Sequence, residues 1–285
     1  MYIVYVLLYA LLIGIYSVFK KLSRNSSASA VVLAIFSSVY FLLSLLLIPN
    51  GVGVSLQSLF PIAIKGFLIA ISWYLTLCVI KNADLSLVTA TNVLSTIITF
   101  IVGFLIFNES MSIWQIVGSI LIVSGVVLIN YLSKSSGSKN SFKIFLLLLI
   151  VAIISATSSG IDRYTTLSLS RSQVQFWFGF FVCLSSWIIF IFEKIRTKDI
   201  SITKNDLKNI WIYLTGIFLF VGDFMLFLSY KQPNSQMIVI SILSKLKIIV
   251  ATIFGIAIFK ERNVTKKILL MVLIILGAIL VSVCG

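Results

Sequence analysis

Apolar runs of similar length recur along the whole chain, separated by short polar breaks. A helix needs roughly 20 apolar residues to cross a bilayer. Ten runs of about that length are present, at 2–19, 30–48, 60–80, 85–107, 112–131, 144–161, 173–192, 210–230, 235–259 and 267–283. The alternating apolar and polar strands of an outer-membrane barrel are absent, so the runs read as helices. Short connections predict antiparallel neighbours. The loop 193–209 has room for structure of its own. It is amphiphilic and charged, with Glu193, Lys194, Arg196, Lys198, Asp199, Lys204, Asp206 and Lys208, and it predicts a short surface helix. The expected fold class is an all-α integral membrane protein of ten transmembrane helices.

Composition narrows the class further. The chain of 285 residues is 60% hydrophobic and only 11% charged. One soluble core could not hide that much apolar surface, and disorder needs low hydrophobicity. The formal charge of +14 would suggest nucleic acid in a soluble protein. In a membrane protein, basic residues flanking spans on the cytoplasmic side explain it, and no nucleic-acid partner is expected. There are no histidines, and Cys78, Cys183 and Cys284 are scattered, so neither a metal site nor a disulfide framework is expected, and no cofactor.

Charge placement predicts orientation. Residues 1–19 are uncharged, and Lys20, Lys21 and Arg24 follow them, the reverse of a secretory signal. Loops after odd-numbered spans hold 16 basic residues. The termini and even loops hold four, Lys65, Arg163, Arg171 and Lys231, and Lys245 and Lys247 lie inside a span. Odd loops are therefore expected in the cytoplasm, and both termini outside, in a plasma or inner membrane.

An internal repeat emerges at a shift of 152 residues. Over 94–128 against 246–280, 12 of 35 positions are identical, including Gly103/Gly255, Phe107/Phe259, Glu109/Glu261 and Gly125/Gly277. The basic linker 133–143 (SKSSGSKNSFK) divides the chain into 1–132 and 144–285, five spans each. An odd span number inverts one half relative to the other. The charges agree: the turn 108–115 has net charge −1 and its counterpart 260–267 has net +3.

These residues carry a resemblance. FLIFNESMSIWQIVGSILIVSGVVLI at 104–129 and IAIFKERNVTKKILLMVLIILGAILV at 256–281 resemble the end-of-repeat pattern of the drug/metabolite transporter superfamily, in its ten-helix EamA-type members. YALLIGIYSVFKK at 9–21 is similar to that family's first helix. Glu109, Gly118 and Gly125 fit the pattern. In the second copy Glu261 and Gly277 fit, but Leu270 replaces the first glycine. The resemblance implies an exporter-like permease of small metabolites, with a central cavity lined by spans 1–4 and 6–9 and with spans 5 and 10 peripheral. Several ten-helix relatives keep both termini in the cytoplasm, in contrast to the orientation that charge gives here. Glu109 and Glu261 sit at helix-ending turns, where carboxylates accept amides of the turn or the next helix; coupling or gating is the other role.

Ionisable groups at mid-membrane face a cavity or one another, because burying them in lipid costs several kcal/mol. Asp223 lies mid-span in span 8, and Lys245 and Lys247 in span 9; two residues apart on an α-helix, the lysines should point about 200° from each other. Polar stripes occur at Ser241, Ser244, Lys245 and Thr252, at Thr89, Asn92, Thr96 and Thr99, and at Ser155, Ser158, Ser159 and Asp162. Such hydroxyls either bond their own helix or line a polar cavity. Trp73 and Tyr74 lie too deep for an interfacial belt, so one of them is expected at the cavity, whereas Trp114, Trp187 and Trp211 fit the belt. FWFGFF at 176–181 reads as lipid contact, and Asp162 beside Arg163 as a local ion pair.

The substrate-binding set expected from sequence is Lys245, Lys247, Asp223, Ser241, Ser244, Asn92, Trp73 and Tyr74. With two lysines against one aspartate, an anionic or zwitterionic ligand is favoured over a cationic drug. The expected activity is secondary transport by alternating access. The alternative is a flippase for a phosphorylated lipid carrier or lipid-linked sugar. A membrane enzyme is disfavoured by the absence of histidine, of usefully paired carboxylates and of a nucleotide loop. The expected partners are a small-molecule or lipid-phosphate substrate and the membrane lipids.

Overall fold

A computed structural model describes residues 1–24, 27–80, 93–133, 141–198, 200–259 and 264–283. Among them every regular element is helical. The helices are α1 (Tyr2–Arg24), α2 (Ser29–Ser44, extended by a 3₁₀ turn Leu45–Asn50), α3 (Leu56–Ile80), α4 (Val93–Phe107), α5 (Ile113–Ser133), α6 (Ser141–Ser168), α7 (Arg171–Thr197), α8 (Lys204–Lys208), α9 (Ile210–Tyr230), α10 (Met237–Leu243), α11 (Lys247–Phe259) and α12 (Val264–Val283). A 3₁₀ turn, Ser244–Leu246, joins α10 to α11. Among the described residues, seven segments are long and apolar enough to span a membrane, and shorter apolar helices occur within α4, α5 and α12. The chain is a multi-pass membrane protein.

The expected surface helix in 193–209 is α8. Its capping box is made by Thr203 and Asp206: Asp206 N donates to Thr203 Oγ1 at 3.2 Å, and Thr203 N donates back to Asp206 Oδ2 at 2.8 Å. Asn209 then caps α9 by accepting from Trp211 N, and its Nδ2 donates to Ser23 O at the end of α1.

Two apolar clusters mark the ends of the bundle. At one end Tyr2, Ile3 and Val6 pack with Phe107, Met111, Tyr230, Met237, Ile238 and Val281. We call this the Glu109 end. At the other, Val18 and Leu22 pack with Val79, Ile80, Leu148, Ala251 and Phe259, which we call the Lys20 end.

Helices α5 and α12 pair antiparallel. A Cβ built on Gly118 would lie 2.6 Å from Gly277 O, and one on Gly125 would lie 2.6 Å from Ile274 Cγ1 and 3.3 Å from Leu270 O. Only glycine permits that approach at these positions. Gly277 in turn faces Ile122 and Gly118. Exchanging each residue for its mate 152 positions away turns the Gly125 contacts into the Gly277 contacts, so the pairing has the self-complementarity of a two-fold axis. Neither helix contributes a residue to the cavity described below.

Candidate functional site

The interior holds a cavity of about 190 Å³ lined from α1, α3, α4, α6, α7, α9 and the α10–α11 segment. On α1 it runs from Tyr9 to Lys20, about 16 Å along the axis at 1.5 Å per residue. Among the described residues, six ionisable groups besides tyrosine line it: Lys20, Lys65, Asp162, Asp223, Lys245 and Lys247.

Of the site residues expected from sequence, the structure places Lys245, Lys247, Asp223, Ser241, Ser244 and Trp73 on this wall, and Ser155, Ser158, Ser159 and Asp162 with them. Tyr74 is not on the wall; it packs with the apolar core beside Trp73. Asn92 and Thr89 lie outside the described residues. The resemblance puts span 2 on the cavity too, but α2 contributes only from behind, where Tyr40 OH donates to Asp223 Oδ2 at 3.0 Å.

The expectation that Lys245 and Lys247 diverge fails for a local reason. The α-helix gives way to a 3₁₀ turn at Ser244–Leu246. At three residues per turn, residues two apart are separated by roughly 120° the short way round, against roughly 160° in an α-helix. Both side chains thereby reach one cavity. Lys245 Nζ donates to Ser95 Oγ of α4 at 2.9 Å. Neither lysine pairs with Asp223 within 4 Å.

Sequence reading assigned Lys65 and Lys20 to loops, yet both are buried within helices, at 4% and 3% exposure. Lys65 Nζ forms an ion pair and hydrogen bond with Asp162 and stands 3.9 Å from the Phe178 ring centre, with Phe227 at 5.0 Å. Phe178 therefore belongs to the interior, whereas FWFGFF read as lipid contact. Asp162 and Arg163 do not pair with each other. Successive helical positions point about 100° apart: Asp162 turns to Lys65, and Arg163 turns to Glu109 at 3.7 Å and donates to Ser235 Oγ at 3.1 Å.

Glu109 is a structural cap of another helix. Asn108 closes α4 with φ +50°, and Glu109 N donates back to Gly103 O at 3.1 Å, a Schellman-type ending. That ending projects Glu109 past α4 onto the N-terminus of α10. There its Oε1 accepts from Met237 N at 2.6 Å and Oε2 from Ile238 N at 2.9 Å. Its repeat mate Glu261 lies outside the described residues.

Most hydroxyls on the wall spend their proton on their own helix. Ser17 donates to Ile13 O, Ser155 to Val151 O, Ser159 to Ser155 O and Ser244 to Ser241 O. The lone pairs of such hydroxyls remain as acceptors, and the ammoniums are donors. No group of His, Cys, Asp and Glu among the described residues could hold a metal ion.

The comparisons with known proteins agree with this architecture. A solved crystal structure of a protein superposes with a TM-score of 0.73 at 14% identity, over 99% of this chain and 95% of that one, which establishes a shared fold. No curated protein matches the chain significantly. The EamA-like transporter family matches over residues 1–131 and again over 142–283. The chain thus belongs to the EamA-like transporter family, the EamA-type branch of the drug/metabolite transporters, and is a membrane permease.

Proposed function

We propose that the protein is a secondary transporter that carries a small anionic or zwitterionic metabolite through the described cavity by alternating access. It has ten transmembrane helices in two inverted five-helix repeats, 1–132 and 144–285, joined by the basic linker 133–143. Both termini face the outside of a plasma or inner membrane. The observation that carries the reading is the charge of the cavity wall: among the described residues, four lysines against two aspartates leave a formal +2 in a low-dielectric site. The antiparallel, mate-exchanging contacts of α5 and α12 support the inverted repeat. The protein acts as a carrier rather than an enzyme, a reading that the match to a transporter family supports.

The test is counterflow in proteoliposomes of the purified full chain, with pools of carboxylates, amino acids, phosphate esters and organic cations. Accumulation of an anion or zwitterion is expected, and it should be lost in Lys245→Met while that variant stays monodisperse. Selective accumulation of cations, or an active Lys245→Met, would overturn the reading.

A second reading, a flippase for a lipid-linked phosphate, is favoured by one feature. An apolar groove lined by Leu7, Ala10 and Leu11 of α1 and Leu243, Leu246 and Val250 of the α10–α11 segment lies across α1 from the charged cavity. An acyl chain could rest there with its headgroup among the lysines.

A further inference from the structure

The charges on the cavity wall are not evenly spread. Lys65, Asp162 and Asp223, with Tyr40 behind them, lie toward the Glu109 end, and their charges sum to −1. Lys20, at the Lys20 end, and Lys245 and Lys247, near the middle of the α10–α11 segment, sum to +3 among the described residues. Lys247 is within electrostatic range of Lys20 and Lys245, and also of Asp223. Lys20 and Lys247 have no carboxylate within 4 Å among the described residues.

Tyr16, one turn before Lys20 on the same face of α1, supplies a second observation. It lines the cavity and is 6% exposed, and its hydroxyl has no hydrogen-bond partner among the described residues. A buried hydroxyl left unpaired costs free energy, so a polar atom in the cavity is needed to satisfy it. Lys20 Nζ stands 5.5 Å from the Tyr16 ring centre, so the two groups address the same space.

Three like charges gathered in a low-dielectric site repel one another. A monoanion would leave much of that repulsion standing, whereas a phosphate monoester brings a charge of about −1.5 to −2 near neutral pH together with three acceptor oxygens. Lysine serves phosphate as a point charge and needs no bidentate geometry. The formal excess over the whole wall, +2, equals the charge of one dianion.

We infer that Lys20, Lys245 and Lys247, with the Tyr16 hydroxyl, form a binding site for a dianionic phosphate group, and that Lys20 of α1 is a determinant of that selectivity. The inference rests on the transport reading above and narrows its substrate class to phosphate monoesters. The groups at the site come from both halves of the chain: Tyr16 and Lys20 precede the linker, and Lys245 and Lys247 follow it. A bound dianion therefore links the two halves across the cavity.

The test uses inorganic phosphate, sulfate and acetate as probes of the purified full chain in detergent, read by thermal shift at matched ionic strength. Saturable stabilisation by phosphate and sulfate is expected, with acetate weaker by about tenfold or more. Lys20→Gln should lower the phosphate affinity by about tenfold or more, while Lys20→Arg retains most of it. The ratio of phosphate to sulfate affinity should rise between pH 5.5 and 8, because inorganic phosphate gains its second charge near neutral pH, about one unit above a phosphate monoester, while sulfate is a dianion throughout. That ratio is read on the unaltered protein and does not depend on any variant folding. Equal stabilisation by acetate, a flat ratio, or a monodisperse Lys20→Gln with unchanged phosphate affinity would each overturn the inference. If carboxylates or amino acids are transported and phosphate does not bind, the phosphate site falls and the transport reading stands. If phosphate binds but no metabolite moves, the converse holds.

Discussion

The two ends of the cavity are closed by different physics. At the Glu109 end ion pairs supplement the apolar cluster. Lys65 is paired with Asp162, and Glu109 holds both the first amides of α10 and the Arg163 guanidinium. At the Lys20 end the described contacts among Val18, Ile80, Leu148 and Ala251 are apolar, and Lys20 has no carboxylate partner among the described residues. A polar closure is specific and brittle: removing one partner leaves a buried charge, which costs far more than the pair contributes. An apolar closure is tolerant, since dispersion contacts are many and individually weak. Under the proposed alternating access, the difference would assign the steep, discrete barrier to the Glu109 end.

The largest effect should come from breaking the ion pair asymmetrically. Lys65→Met removes the ammonium but keeps most of the volume beside Phe178 and Phe227. Asp162 is left buried and unpaired, and a loss of about 3–5 kcal/mol in stability is expected. Adding Asp162→Asn should recover most of that loss, since the pair as a whole contributes little. Thermal unfolding of the two single variants and the double variant forms the cycle. Additive losses would show that Lys65 and Asp162 do not close this end as a unit.

Glu109→Gln should cost less. The amide keeps one carbonyl for α10 but turns a donor toward the other backbone N–H, and Arg163 loses its counter-charge. A loss of about 1–3 kcal/mol is expected, the size of one unsatisfied buried hydrogen-bonding group. The Glu109 end should also become more accessible. A cysteine at Ser235, which here accepts from Arg163, should react faster with a membrane-impermeant maleimide in the Glu109→Gln background than without it. Equal labelling rates would refute the role of Glu109 in closing this end.

How far the chain itself announces this architecture depends on whether the signal is local. The spans follow from apolar run length, and α8 follows from the charge pattern of one loop, because both are properties of contiguous residues. The Glu–Gly register of the repeat is visible for the same reason. Lys245, Lys247 and Asp223 could be picked out because they interrupt apolar runs. Lys20 and Lys65 could not: each lies near enough to a span end to pass for an interfacial cation, and only tertiary packing turns them inward. Asp162 beside Arg163 misleads in the opposite way, since sequence adjacency suggests a pair that helical geometry forbids. Tyr16 and Tyr40 carry no signal among ten tyrosines. Their roles arise from a missing partner in one case and from a carboxylate 183 residues away in the other.

The smallest effect sharpens the contrast from the Lys20 end, where α8 lies beside the end of α1 through the bond from Asn209 to Ser23. One carboxylate there, Asp206, caps a helix and pairs with no lysine among the described residues. Burial by itself would raise its pKa, but the nearby Ser27 hydroxyl, with hydrogen bonds from the Thr203 hydroxyl at 2.7 Å and the Thr203 amide at 2.8 Å, outweighs it and holds the carboxyl below the ordinary aspartate range. A folded-state pKa below the unfolded one means that the carboxylate stabilises the fold above the unfolded value, near 3.9, and that this contribution is lost as pH falls through the lower folded value. Capping of this kind contributes about 0.5–1 kcal/mol. Asp206→Asn should therefore lower the melting temperature slightly at pH 6. The gap between variant and unaltered protein should narrow as pH drops below about 4, because both side chains are then neutral. A gap that stays constant down to pH 3 would mean that the Asp206 charge contributes nothing and that its geometry alone holds α8.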